Sequence, residues 1–426
     1  MLLEKLSLFN SKREFFLFLF TTFFILTYSI LIEYHNYKTL TQFDSTLVTA
    51  TILKQYKKSK LTKKGNTKTY QVLKLKSDSG FSFYTISKNS FPPNIGKKVE
   101  LELWAGDISF YQYSTTFFSF GKIISVHEEL SLKQKLNNYI DSAHQNNNIS
   151  NIYKALYTAT PLNWELQKSF STLGVSHLLA ISGFHLGVLS FLLFFLLKYP
   201  YRFFQNRYFP YRSSKVDLFM IVSSILLLYL LFLDSPASLL RAFTMLIVGF
   251  VLYDRAFKII SMQTLFLTAI LLLAFFPKLL FSLGFWLSIS GVFYIFLFLI
   301  HFKHLSKIWQ FILIPIWVYV LMLPYSLSIF GAFSIYHPLS IIWTSLFTLF
   351  YPLSIFLHLI GFGDLLDSIL ESFIVLGDDS MQIELSFKWL FIHIVLSLIS
   401  VFKKSFLAIL LSFNLSLMIY SIYHIT

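Results

Sequence analysis

Ser182 and His185 stand three residues apart in a stretch otherwise apolar enough to cross a bilayer, SHLLAISGFHLGVLSFLLFFLLK, residues 176 to 198. Polar groups at membrane depth are costly and ask for an account. Three chemistries fit the residue types. A Ser–His pair can be a nucleophile and its general base, as in an intramembrane hydrolase. His177 and His185 can ligate a metal, but no carboxylate or thiol lies nearby in sequence to complete a set, so no metal site is expected. Alternatively, His177, Ser182 and His185 line a hydrated path between helices, and the residue types favour this. Gly183 and Gly187 form a small-xxx-small step that lets another helix approach closely.

Arg241 is the second anomaly, in DSPASLLRAFTML, residues 234 to 246. Pro236 suits the first turn of a helix, with Ser235 or Asp234 as its cap. Arg241 then lies about a turn and a half inside. It either snorkels to the interface or stands as a fixed cation in a translocation route, where it can meet phosphate or a carboxylate. In FSLGFWLSISG, residues 281 to 291, Gly284, Ser288 and Gly291 make another close-packing seam. Pro315, Pro324, Pro338 and Pro352 interrupt later helices, which is tolerated where protein or a water-filled cavity satisfies the backbone. Together these features favour a channel or transporter over an inert anchor.

The elements that hold these residues are membrane helices. The chain has 426 residues, 55% hydrophobic and 13% charged, about half the charge of a soluble protein of this size. Hydrophobic runs occupy 15–32, 177–197, 216–233, 237–253, 259–276, 279–300, 308–330, 338–360, 386–402 and 405–423. Lys12 and Arg13 before the first run place the N-terminus in the cytoplasm, with a retained anchor in place of a cleaved signal. Later basic loops agree with alternation from there, until Lys403 and Lys404 fall on the wrong side. Either 338–360, with Pro352 in its middle, is broken or re-entrant, or 364–376 enters the membrane. There is no cysteine, which excludes disulfides and thiol chemistry, and no cofactor is expected.

Residues 35–150 differ in composition, with 16 Lys, no Arg and 8 acids. Short alternating segments at 46–56, 69–77, 81–87, 98–104 and 121–126, separated by turn residues, suggest a small OB-like barrel outside the cytoplasmic membrane. Within it, residues 54–76 carry nine lysines and no acid. Lys54, Lys57, Lys58, Lys60, Lys63, Lys64 and Lys68 lie beside Tyr56, Tyr70, Phe81, Phe83 and Tyr84. Charge for phosphates beside rings for bases is what single-stranded nucleic acid needs; a solvated hairpin over an aromatic core is the bland alternative. The expected organisation is a cytoplasmic stub and anchor (1–34), a basic OB-like domain (35–149), amphipathic interfacial helices (150–176) and a polytopic domain (177–426). The fold class is therefore a polytopic α-helical membrane protein with a small extracytoplasmic all-β domain near its N-terminus.

Four blocks in order resemble the ComEC competence proteins, which carry DNA across the bacterial inner membrane. Ser176 to Gly183 with His185 is similar to the family signature SHLLAISGLHVG. Ser235-Pro236-Ala237-Ser238 with Leu240-Arg241-Ala242 resembles S-P-S-x-x-R-A. Gly284-Phe285-Trp286-Leu287-Ser288 resembles GFQLSF, and Leu323-Pro324, Phe333-Ser334 and Pro338-Leu339 resemble the block that follows. The resemblance covers roughly residues 150–360.

It implies transport of single-stranded DNA across the cytoplasmic membrane in natural transformation, with membrane lipid around the helices. An extracytoplasmic DNA receptor, a cytoplasmic translocase or helicase and DNA-processing proteins are its implied partners. Trp286 departs from the family, which usually has Gln there. Longer relatives carry a C-terminal metallo-β-lactamase-like nuclease with an HxHxDH motif. None of the 11 histidines here forms that motif, so this chain is expected not to be an enzyme. The alternatives are an intramembrane hydrolase using Ser182 and His185, or a transporter of another anionic substrate.

Overall fold

The computed structural model describes residues 11–61, 67–92, 94–127, 131–254, 260–377, 381–383 and 385–423. They fall into two compact units, one of Ser11–Ile140 with Ile270–Ser282 and one of Asp141–Ala269 with Leu283–Thr426.

The first unit opens with helix α1 (Lys12–Leu40), capped by Ser11, whose side chain accepts from the Glu14 amide. Phe16, Leu17, Phe20 and Phe23 are exposed along it, an apolar exterior that suits hydrocarbon, not water. Strands β1 (Thr46–Leu61), β2 (Thr67–Ser77), β3 (Ser82–Ser87) and β4 (Lys98–Leu103) follow, then α2 (Phe110–Ser114), β5 (Phe117–Phe118), β6 (Gly121–Val126) and α3 (Leu132–Ala143). The strands make one sheet in the order β5-β3-β2-β1-β4-β6. All pairings are antiparallel except β3 with β5.

The two ends of that order are consecutive in the chain. The Ser119 amide donates to the Tyr84 carbonyl and the Trp104 amide to the Phe120 carbonyl, both at 3.0 Å. Residues 117–126 therefore bond to β3 at one end and β4 at the other, which closes the sheet on itself. Period-two alternation sends Ile52, Leu73, Leu75, Phe83, Leu101 and Leu103 into the barrel core. Phe81 and Phe83, which the sequence leaves open between a binding surface and an aromatic core, belong to this core. They stack on Phe117 with ring centroids 5.9 and 5.8 Å apart.

The second unit is helical. It contains α4 (Asn147–Thr158), α5 (Trp164–Thr172), α6 (Ser176–Leu179), α7 (Gly183–Tyr208), α8 (Ser214–Phe232) and α9 (Ala237–Asp254). Helix α10 (Met262–Phe275) leads out of it, and the chain returns as α11 (Leu283–His301), α12 (Lys307–Ile329), β7 (Ala332–Phe333), α13 (Ser340–Leu359), α14 (Asp367–Val375), β8 (Met381–Gln382), α15 (Phe387–Ser400) and α16 (Lys404–Tyr423).

Among the described residues, eight helices are long and apolar enough to cross a membrane: α1, α7, α8, α9, α11, α12, α13 with its leading turn, and α16. The chain is a multi-pass membrane protein. Three expectations change in detail. Helices α10 and α15 have 14 residues each, short for the runs 259–276 and 386–402 that read as full spans. Helix α13 runs unbroken through Pro352. Helix α14, nine residues, is roughly 14 Å long, too short to cross a core of about 30 Å.

Candidate membrane-embedded site and nucleic-acid interface

The stretch that begins at Ser176 does not enter the membrane as one helix. Helix α6 is a single turn, Ala180 is extended, and α7 starts at Gly183 with Ser182 as an extended N-cap (φ −124°, ψ 174°). Ser182 and His185 are thus a cap and its third helical residue, not neighbouring faces of one helix. The Ser182 hydroxyl accepts from the Phe184 amide at 3.3 Å, and the Ser182 amide donates to His185 Nδ1 at 3.1 Å. This is a capping box with histidine in the reciprocal position. The hydroxyl also lies 3.1 Å from the same Nδ1, the distance a nucleophile and its base would show. That nitrogen already accepts a backbone N–H, however, and among the described residues the buried His185 Nε2 has no partner to orient the ring. Phe347 and Tyr351 pack edge-on against it.

Around this cap three of the four sequence blocks meet. The Ser238 hydroxyl donates to the Ile181 carbonyl at 2.6 Å, and Arg241 Nε donates to the Ser288 hydroxyl at 2.8 Å. A Cβ at Gly183 would lie 2.9 Å from both Ala242 Cβ and Arg241 Nη2, so only glycine admits α9 this close. On the other side, the Ser334 hydroxyl donates to the Thr172 carbonyl at 3.2 Å, and His177 Nε2 lies 3.3 Å from the Thr344 hydroxyl. Gly174, at φ +71°, approaches so closely that a Cβ would sit 2.8 Å from His337 Cε1. Residues far apart in sequence therefore build one site.

His177 joins it from the surface of the helical unit. Not every residue read from the sequence does. Gly187 is not a packing point, since a Cβ there meets nothing within 4 Å. Gly284 is exposed, and so is Trp286 beside it. The close seam narrows to Gly183 against α9, with Ser288 serving as a hydrogen-bond partner. Pro236 precedes the helix instead of opening it: α9 begins at Ala237, and the Pro236 carbonyl accepts from the Leu240 amide at 2.9 Å. Asp234 and Ser235 hold left-handed backbone at φ +61° and +53°, a conformation that L-residues adopt at some cost.

Arg241 is 5% exposed. Besides Ser288, its guanidinium donates from Nη1 to Met245 Sδ at 2.9 Å. Among the described residues no carboxylate pairs with it. A buried cation without a counter-ion is a large cost to stability, and snorkelling to the interface is not what the side chain does. Nη2 instead approaches Gly183 at the start of α7, where the 26-residue helix turns the positive end of its dipole. The arrangement concentrates positive charge at one place.

A family model described as Competence protein matches residues 160–424. The chain belongs to the ComEC-type competence protein family. The match takes in all four blocks and runs beyond them to α16, and it places the chain in the competence system that takes up DNA. Comparison with curated proteins and with solved structures finds no match.

This competence protein carries a second candidate surface, on its barrel. The register pairs Lys54 with Lys74, Tyr56 with Val72 and Lys58 with Tyr70 across β1 and β2, and Lys74 with Tyr84 across β2 and β3. These positions alternate with the core residues and share the outer face. Tyr56, Lys58, Tyr70, Val72, Tyr84, Ile86, Phe118 and Phe120 line a groove of about 360 Å³ there. Lys74 Nζ stands 5.6 Å above the Tyr84 ring, a cation–π distance. Burial holds Lys54 and Lys74 below the ordinary lysine pKa, and for Lys54 the Lys74 charge adds to it. Among the described residues no acid pairs with Lys54, Lys58 or Lys74.

Of the other lysines read from the sequence, Lys57 pairs with Gln71 and faces away from the groove. Lys60 and Lys68 are partners in the β1–β2 ladder. Lys63 and Lys64 lie outside the described residues. Sequence reading did not single out Lys74, Phe118 or Phe120; β5 is two residues long, too short for its alternation to stand out.

Proposed function

We propose that this chain is the inner-membrane channel through which one DNA strand enters the cytoplasm during transformation. The observation that carries this reading is Arg241, a buried guanidinium without a counter-ion among the described residues, where three of the family blocks converge. A passing phosphate supplies the missing charge, and the next phosphate displaces it. The small-residue contact at Gly183 keeps the two positive ends together.

The barrel is of the OB type in this reading. Its first strand lies between the second and fourth, and the stretch after the fourth returns parallel to the third, which supports that topology. With Lys12 and Arg13 in the first turn of α1, the N-terminus is cytoplasmic and the barrel lies outside the membrane. Its groove captures the strand, rings stacking on bases and Lys54, Lys58 and Lys74 meeting phosphates. The chain itself cleaves nothing; the occupied cap at Ser182 argues against a nucleophile. A receptor outside, a motor inside and DNA-processing proteins complete the pathway.

The test is binding of a fluorescent single-stranded oligonucleotide to the full chain in lipid nanodiscs across a salt series. Affinity should fall steeply with salt, since phosphate contacts release counter-ions, and duplex of equal length should bind less tightly. Absence of binding, or affinity independent of salt, contradicts the capture step. Equal competition by inorganic polyphosphate would instead favour a transporter of other anions.

A further inference from the structure

His144, His358 and Asp367, which no sequence pattern links, meet inside the helical unit. His144 Nδ1 lies 2.9 Å from Asp367 Oδ2, and its Nε2 lies 3.0 Å from His358 Nε2. His358 Nδ1 in turn lies 2.7 Å from the Ser354 carbonyl. Counting protons through these contacts gives a definite result. A carbonyl only accepts, so His358 carries its proton on Nδ1 and offers Nε2 as an acceptor. His144 must then donate from Nε2. The contact between His144 Nδ1 and the carboxylate needs one proton more. Three contacts take three protons, while two neutral histidines and a carboxylate supply two.

We propose that this cluster is a proton-binding site, a clasp that closes with one additional proton held between His144 and Asp367. Without that proton, a ring lone pair faces either the carboxylate or the other ring. With yet another, both Nε2 atoms become donors and repel. The clasp joins the segment entering α4 to the turn between α13 and α14.

Tyr153 stacks on His144 with centroids 4.5 Å apart, and the Tyr157 hydroxyl lies 3.3 Å from His358 Nδ1. Glu371 accepts from the Asn146 amide at 2.7 Å, and Lys154 pairs with Asp141 at 2.6 Å. Asp364 stands on the turn before α14, and Glu165 and Lys168 of α5 are exposed. Among the described residues, Asp367 Oδ1 and the Tyr153 hydroxyl are buried without a partner.

A histidine in water takes up its proton near about pH 6.5. Opened to water, the cluster binds more than one additional proton in acid and fewer than one in alkali. Closure is therefore strongest near that pH and weakens on both sides, approaching about tenfold per pH unit.

Hydrogen exchange of the full chain in nanodiscs, corrected for intrinsic rates and read over residues 141–158 and 354–371 between about pH 5 and pH 8, tests this. Wild type should show a bell. Asp367→Asn supplies an amide donor to neutral His144, so it should keep the acid limb and lose the alkaline one. His358→Gln can donate or accept, and should flatten both limbs while the fold persists. A flat wild-type profile, or a full bell in either variant, overturns the clasp. Should Asp367→Asn fail to fold, His358→Gln alone decides.

Discussion

Gly183 and Arg241 touch: a methyl group at position 183 would stand 2.9 Å from the guanidinium Nη2 and equally close to Ala242 Cβ. The start of α7 and the buried cation of α9 are held together by the absence of a side chain. Gly183→Ala should therefore cost about 1–3 kcal/mol through overpacking. Gly187→Ala, which meets open space, should be neutral or gain up to about 1 kcal/mol of helix propensity. Thermal unfolding of the full chain in detergent separates the two, and equal shifts would mean that α9 does not pack on Gly183.

Ser182 is tested by replacing its chemistry while keeping its cap. Asparagine caps a helix as well as serine does, and alanine costs about 1 kcal/mol. Ser182→Asn should keep transformation near wild type, and a serine-directed fluorophosphonate should leave the protein unlabelled. Labelling at Ser182, with loss of function in the asparagine variant, would establish a hydrolase.

On the barrel, Tyr56→Ala and Tyr84→Ala should each weaken single-strand binding by about 1–3 kcal/mol without unfolding the protein. Phe83→Ala removes a fully buried ring and should destabilise the barrel by about 3–5 kcal/mol. Oligonucleotide titrations beside local hydrogen exchange tell the two classes apart.

The groove lysines set a pH dependence with opposite signs for stability and binding. Lys54 and Lys74 have folded pKa values below the ordinary 10.5. Through the window below that value the unfolded chain binds more protons, so barrel stability rises with pH and levels off above it. Strand affinity falls through the same window, as the charge is lost. Hydrogen exchange over 46–126 and oligonucleotide binding should both lose this dependence in the Lys54→Gln, Lys74→Gln double variant.

Much of this was legible in the chain. Long apolar runs gave the membrane helices, alternation gave the strands around residues 46–126, and four spaced blocks gave the family. The break at Ala180–Ser182 was not legible, because an apolar stretch reads alike whether its helix is continuous or recapped. Phe81 and Phe83 stood open between a stacking surface and the core, because alternation gives two faces and only a closed barrel says which is inside. Gly187 and Gly284 shared the spacing of a seam, yet spacing does not choose the face that meets a neighbour. His144 and His358 stand 214 positions apart, beyond any local pattern.

The central claim is that Arg241 receives the strand inside the membrane. Labelled DNA supplied to cells carrying Arg241→Ala, at wild-type protein levels, measures it most directly. The account predicts that DNA still accumulates outside the inner membrane and none reaches the cytoplasm, whereas Lys54→Gln, Lys58→Gln and Lys74→Gln together reduce the accumulation itself. Wild-type transformation frequency in Arg241→Ala would contradict it.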